Sequence, residues 1–337
     1  MKAVRLKAIK SPVETFEAPI PEPGPGDVII KQKMTGICYR DILTQDGYLP
    51  RVKLPIIPGH EISGTISAVG SEVNNFKVGD RVASLIYEPC GKCEYCLSGR
   101  ENLCRDKKTF GESIEGAYAP YVKVNQRSLV KVPEGVSEEG SVIAACVTGM
   151  LYHALAIEGK LQPGQTVLIT GAGGGIGAHA VVISKALGAR VIAETSSEWK
   201  REKLLELGAD HVVSASEDFE KSVKKITGLG VDLVLECVGI YTFSKALRSL
   251  KPGGRMVVVG NVVPDPVELP LGLIILKGNS ITGSISSTRS DISQVFNLEL
   301  QGKLKPIIDR TVDLDSVEDA YREIRSKKNI GRVLIRF

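Results

Sequence analysis

The sequence predicts an α/β protein in two parts: a β-rich first part and a doubly wound parallel sheet. Three observations point there. The chain has 337 residues, more than one hydrophobic core usually organises. Its first 145 residues hold short β-rich runs broken by Gly and Pro. From Pro163 onward, strand-like and helix-like segments alternate, which is the pattern of βαβ units.

In the first part, residues 27–31, 62–69 and 81–85 read as strands. Pro19, Pro21, Pro23 and Pro25 alternate in a stretch that neither a helix nor a central strand tolerates. A partly closed barrel or sandwich is expected there. In the second part the reading runs strand 166–170, helix 175–187, strand 190–194, helix 198–207 and strand 212–213. Helix 218–227, strand 232–236, helix 242–250 and strand 255–260 follow, with Gly188, Gly208 and Gly253 where helices should stop. After about Ser284 the chain is mixed, with helices near 292–301 and 317–326 and a last strand at 332–337.

Composition narrows the function classes. Hydrophobic residues make up 43% and charged residues 24%, so collagen-like, disordered and low-complexity readings fail. The net charge of +4 and an aromatic content of 5% give no footprint for nucleic acid. No stretch reads as about 20 consecutive apolar residues, so no membrane span is expected. The start, MKAVRLKAIK, lacks the apolar run of a signal peptide, which makes the cytoplasm the expected compartment. Seven cysteines without an export signal argue against a disulfide framework.

Thr170-Gly-Ala-Gly-Gly-Gly-Ile-Gly177 follows a strand and opens a helix. In that context glycine lets the backbone approach a pyrophosphate, and the helix start offers free N–H groups and a positive dipole end. Gly171, Gly174, Gly175, Ile176 and Gly177 are therefore candidate dinucleotide contacts. An acid closing the second strand would hold the ribose diol of NAD. Here that place holds Thr195, followed by Ser196, Ser197, Lys200 and Arg201. Hydroxyls and cations suit a 2′-phosphate, so NADP(H) is favoured over NAD(H). Glu194, one position earlier, should point to the opposite face. Lys200 and Arg201 are equally compatible with a solvated helix face.

Cys90, Cys93, Cys96 and Cys104 stand in a C-x2-C-x2-C-x7-C pattern. Four thiolates suit tetrahedral zinc with no open position, a site that holds a loop and does no chemistry. An iron–sulfur cluster is the competing occupant. Cys38, His60 and Cys146 are too far apart for spacing to join them; each alone reads as a buried Cys or a hydrogen-bonded His.

Gly59-His60-Glu61, Val78-Gly-Asp-Arg-Val82, the four-cysteine loop and the glycine turn occur in one order and at suitable distances. Over its full length the chain resembles the zinc-containing medium-chain dehydrogenases/reductases of the alcohol dehydrogenase type. The resemblance implies a GroES-like catalytic domain, residues 1–145 and 287–337, around a Rossmann domain, residues 146–286. It implies a catalytic zinc on Cys38, His60 and Cys146, on the match of Cys38-Tyr-Arg-Asp41, Gly59-His60-Glu61 and Cys146 six residues before Tyr152. Glu61 would lie beside this zinc as an exchangeable ligand, and Asp41 would orient His60. Two zinc ions per chain follow, one catalytic and one structural. The resemblance also places Thr148, Gly260, Asn261, Ser284 and Ile285 toward the nucleotide, with Arg289 toward the pyrophosphate. It implies a small-molecule substrate, no nucleic-acid or membrane partner, and a homodimer or homotetramer.

Two enzymatic functions fit. In one, zinc polarises the oxygen of an alcohol, aldehyde or ketone while hydride passes to or from NADP(H). Typical alcohol dehydrogenases carry a Thr or Ser two residues after the first cysteine, whose hydroxyl relays the alcohol proton. This sequence has Arg40, which cannot relay it. Cys38-Tyr-Arg-Asp41, Gly47-Tyr-Leu-Pro-Arg-Val-Lys53, Cys146-Val-Thr-Gly-Met150 and Gly260-Asn-Val262 resemble archaeal acryloyl-CoA reductases, which reduce an activated C=C with NADPH. A guanidinium at position 40 could stabilise an enolate oxygen. The complete Cys38/His60/Cys146 set favours the carbonyl chemistry, which leads, with enoyl reduction second. A non-catalytic NADP-binding protein is the remote third.

Overall fold

A computed structural model describes all of residues 1–337. Its largest sheet has six strands, all parallel, in the spatial order His211–Ser214, Arg190–Thr195, Thr166–Ile169, Val231–Glu236, Leu250–Val258, Ser280–Gly283. Thr166–Ile169 is buried throughout, as expected of a central strand covered on both faces. The chain runs outward from it in both directions. A crevice therefore opens at its C-terminal end, where doubly wound sheets bind ligands.

The alternating segments expected from the sequence form this sheet and its covering helices, Gly175–Ala186, Arg201–Glu206, Phe219–Thr227 and Phe243–Arg248. The strand expected at 255–260 is longer and earlier, Leu250–Val258, with a register shift against Val231–Glu236 that takes up Pro252-Gly253-Gly254. Strand Ser280–Gly283 and helix Leu271–Lys277 had no counterpart in the sequence reading.

Residues 138–158 form the main departure. They make one 21-residue helix that is long and apolar enough to cross a membrane, with 78% of its apolar window buried inside the molecule. Its apolar side chains are packed within the protein core, and polar residues interrupt the stretch, so the absence of 20 consecutive apolar residues stands. Ser137 starts it by accepting the Gly140 N–H. Gly140, Gly149 and several β-branched residues hide its helical character in the sequence. It widens into π-helical turns at Ala144–Gly149 and His153–Glu158. Such turns are rare and concentrate at functional sites; Cys146 sits in the first.

The first part of the chain builds a five-stranded antiparallel sheet in the order Leu129–Lys131, Arg81–Ser84, Ser63–Val69, Asp27–Lys31, Tyr121–Asn125. The end of the chain returns to it. Strand Arg332–Arg336 pairs antiparallel with Met34–Ile37 and parallel with Ile308–Val312. Residues from both chain ends thereby lie beside the crevice of the large sheet. One apolar cluster runs from Met34 and Cys38 through the long helix to Val167 and Val191, joining the two parts.

Candidate functional site

Cys38 follows strand Met34–Ile37 and caps helix Tyr39–Asp46. Its Sγ accepts the Arg40 N–H, while Asp41 reaches back to the Cys38 N–H at 2.9 Å. The same carboxylate accepts the Tyr118 hydroxyl at 2.8 Å, and its other oxygen lies 3.2 Å from His60 Nδ1. That contact leaves His60 Nε2 pointing at Cys146 Sγ, 3.2 Å away, with Cys38 Sγ 3.7 Å from Cys146 Sγ. One ligand atom from each of Cys38, His60, Glu61 and Cys146 falls within 4.8 Å of the others.

This donor set fits zinc. Two thiolates on one tetrahedral zinc stand about 3.8 Å apart at ordinary Zn–S lengths. The electrostatics agree. The contact with Cys146, ahead of Arg332 and His60, holds the Cys38 thiol well below its usual pKa against the cost of burial. Cys146 is pushed well above, by the same contact and by burial. Burial disfavours a charged His60, but Asp41 and Cys38 outweigh it and raise its pKa to about 9. A cation entering here meets a thiolate and displaces the remaining protons.

Glu61 is fully buried and ion-paired with Arg332, whose Nε lies 3.2 Å from Glu61 Oε2. Arg332 Nη2 also lies 3.6 Å from Cys146 Sγ. Sequence reasoning missed Arg332, which stands 271 residues from Glu61. A lone arginine opening the apolar strand Arg332–Arg336 was the only signal. Arg40 pairs through Nη2 with Glu112, and not with Asp41 or Glu61.

The four-cysteine loop is a second cluster. Cys93 and Cys96 Sγ are 3.5 Å apart, Cys90 and Cys96 3.9 Å, and Cys104 Sγ accepts the Cys90 N–H. The Cys96 N–H, ahead of the neighbouring thiols, lowers Cys93 to about 6, while burial raises Cys96 to about 12. Four mutually close sulfurs with no oxygen or nitrogen donor suit a closed tetrahedral metal site.

Between the two parts lies a cavity of about 570 Å³. Gly171, Gly174, Gly175, Ile176, Gly177, Thr195, Ser196, Ser197 and Lys200 all line it. Gly171 has φ +60, and a Cβ on Gly177 would come within 2.3 Å of the Gly171 carbonyl, so the turn needs both glycines. Lys200 is buried, and its Nζ donates to the carbonyls of Gly173 and Asn329. Burial lowers its pKa to about 8. The catalytic side contributes Tyr39, Arg325, Lys327 and Arg332 to the same cavity.

Glu194 departs from expectation. It lines this cavity as Thr195 does, because the cavity wraps around the end of strand Arg190–Thr195 and meets both faces. Its Oε2 accepts the Gly171 N–H at 2.8 Å, and its Oε1 is buried without a partner.

Six other residues named from the resemblance lie off the cavity wall. Thr148 is buried in a gap shared with Ile143, Val295 and Phe296. Arg289 opens helix Arg289–Leu300 and pairs with Glu101 through its Nε and N–H. Gly260 packs against the Cys237 carbonyl, and Asn261 against Gly239. The Ser284 N–H bonds the Val258 carbonyl, and the Ile285 carbonyl accepts Asn102. The cavity is lined instead by the adjacent Val262 and Val263.

Comparison with known proteins matches these features from end to end. Residues 24–134 match the alcohol dehydrogenase GroES-like domain, and residues 175–300 the zinc-binding dehydrogenase domain. An acryloyl-coenzyme A reductase of Sulfurisphaera tokodaii is 43% identical over 337 residues, covering 100% of both chains. An alcohol dehydrogenase of Geobacillus stearothermophilus is 35% identical, covering 100% of this chain and 99% of its own. The crystal structure of the alcohol dehydrogenase from Aeropyrum pernix superposes with a TM-score of 0.92 at 30% identity, covering 100% of each. The buried Cys38/His60/Cys146 cluster, the four-cysteine loop and the glycine turn thus sit in a matching frame, and the chain belongs to the zinc-containing medium-chain dehydrogenase/reductase family of oxidoreductases.

Proposed function

We propose that this enzyme uses NADPH to reduce the C=C bond of a 2-enoyl-CoA thioester of the acryloyl-CoA type, at a site that retains the zinc ligands. Arg40 carries the reading. It stands beside Cys38 where a proton-relaying hydroxyl serves alcohol chemistry, and a guanidinium stays charged at ordinary pH. Glu112 anchors one of its nitrogens, and its other side-chain N–H groups have no protein partner. Those donors are free to meet the thioester oxygen as charge develops on it. The C=C reduction places hydride on the β-carbon and a proton on the α-carbon, so no hydroxyl relay to the oxygen is required. The 43% identity to a protein named acryloyl-coenzyme A reductase supports the same reading.

When bound, zinc supplies a Lewis acid for the substrate oxygen and the nicotinamide supplies the hydride. Cys38, His60 and Cys146 hold the metal, Asp41 orients His60, and Arg332 keeps Glu61 at the edge of the cluster. Glycines 171, 174, 175 and 177 with Ile176 form the pyrophosphate seat. Thr195, Ser196, Ser197 and Lys200 form the 2′-phosphate seat, with Lys327 facing the same cavity. Gly260 and Asn261, off the cavity wall but adjoining its lining residues Val262 and Val263, belong with Ser284 and Ile285 to the nicotinamide end in this reading. Cys90, Cys93, Cys96 and Cys104 hold the structural zinc. The enzyme acts as a homo-oligomer: strand Ser280–Gly283 leaves one edge of the large sheet unpaired, and Leu271, Ile275 and Leu276 nearby are exposed.

The complete Cys38/His60/Cys146 set favours a second reading, reduction of an aldehyde or ketone. Arg40→Thr separates the two. Acryloyl-CoA reduction should fall about 10–100-fold in kcat/KM, while alcohol oxidation falls less or rises. Equal losses for both substrates, with weaker NADPH binding, contradict the oxygen-stabilising role.

A further inference from the structure

The surface beside Cys38 holds more positive charge than the reaction uses. Glu112, paired with Arg40, accepts the Lys53 N–H on its backbone carbonyl at 2.9 Å, so the segment around Arg51 and Lys53 lies against it. Lys107 anchors its Nζ on the Asn102 carbonyl and lies 5.3 Å over the Tyr87 ring. Burial holds its pKa below the ordinary value; Cys104 and Glu112 oppose that, while Arg40 and Arg51 add to it. Lys107 precedes strand Lys108–Thr109, whose Thr109 carbonyl accepts the Glu112 N–H at 3.3 Å. Arg40, Arg51, Lys53 and Lys107 thus stand on segments that meet at Glu112. They grade from part-buried Arg40 and Lys107 outward to exposed Arg51 and Lys53, neither of which has an ion-pair partner. Charge gathered and left unneutralised in this way favours an anionic ligand.

We infer that Arg51, Lys53 and Lys107 seat the phosphate-bearing handle of a coenzyme A thioester, with the track toward Arg40 leading its acyl end to Cys38. The inference rests on the enoyl-thioester reading. A charged handle held away from the reacting carbons supplies binding energy that fixes the thioester against Arg40.

The test titrates coenzyme A calorimetrically into protein saturated with NADP+, so that the nucleotide cavity is already filled. The wild type should bind, more weakly as salt rises, because exposed charges are screened. The variant R51S/K53S, altered only at exposed unpaired side chains, should bind roughly tenfold more weakly. No binding to the wild type, or equal affinity in the two proteins, overturns the inference. Turnover of acryloyl-CoA is measured beside it. Coenzyme A binding that depends on Arg51 and Lys53 without turnover overturns the enoyl-reductase reading alone. Turnover with a KM indifferent to R51S/K53S overturns the handle site alone.

Discussion

Glu194 is a carboxylate buried at the mouth of a nucleotide cavity, and its environment sets its charge. Burial pushes its pKa to about 7, against the Gly171 N–H that favours the ionised form, with Glu236 nearby adding repulsion. The unfolded chain ionises this group near its ordinary value of 4.5. Between these values the folded state binds more protons than the unfolded state, so stability falls as pH rises through that window. Glu194→Gln keeps an acceptor for Gly171 and removes the buried charge. It should raise Tm by a few degrees at pH 8 and leave it nearly unchanged at pH 4.5, measured calorimetrically on the cofactor-free protein. An equal shift at both pH values would show that repacking, not charge, is responsible. Strand alternation placed Glu194 on the face opposite Thr195, which is sound within a strand; it misled here because the cavity meets both faces at the strand's end.

Among the elements, the four-cysteine loop was the most legible, since all its ligands lie within one short segment. The cluster of Cys38, His60 and Cys146 was legible only through its resemblance, because folding supplies the proximity that spacing cannot. Arg332 and Glu112 were not legible at all: their partners stand far away in sequence, and nothing local marks an ion pair. The long helix 138–158 was lost because its glycines and β-branched residues carry no helical periodicity; packing on all sides stabilises it instead. The loop is tied to that helix, with Asn102 Nδ2 3.2 Å from His153 Nε2 and bonded to the Ile285 carbonyl. Its metal should therefore matter for stability more than for nucleotide binding. Cys93→Ser should lose about one zinc per chain and lower Tm, with NADPH affinity changed by less than about threefold. Unchanged zinc content by metal analysis would rule out a structural site on this loop.

At the scale of the whole molecule, the parallel sheet provides the crevice and the two chain ends provide its opposite wall. The alternating strands and helices from Thr166 to Val258 were readable because each has its own period and stop signal. The return of the C-terminal strand to Met34–Ile37 is a tertiary fact that no local pattern contains. This closure sets Arg332 against Glu61 and Cys146, while Arg40 stands two residues after Cys38 on helix Tyr39–Asp46. The proposed reaction delivers hydride to carbon of an activated C=C. It is tested most directly by incubating the enzyme with NADPH deuterated at C4 and acryloyl-CoA, then locating the label by NMR. The account predicts propionyl-CoA carrying one deuterium at the β-carbon, formed faster than any aldehyde is reduced under the same conditions. Unconsumed acryloyl-CoA, beside deuterium delivered to the carbonyl carbon of an aldehyde, would contradict it.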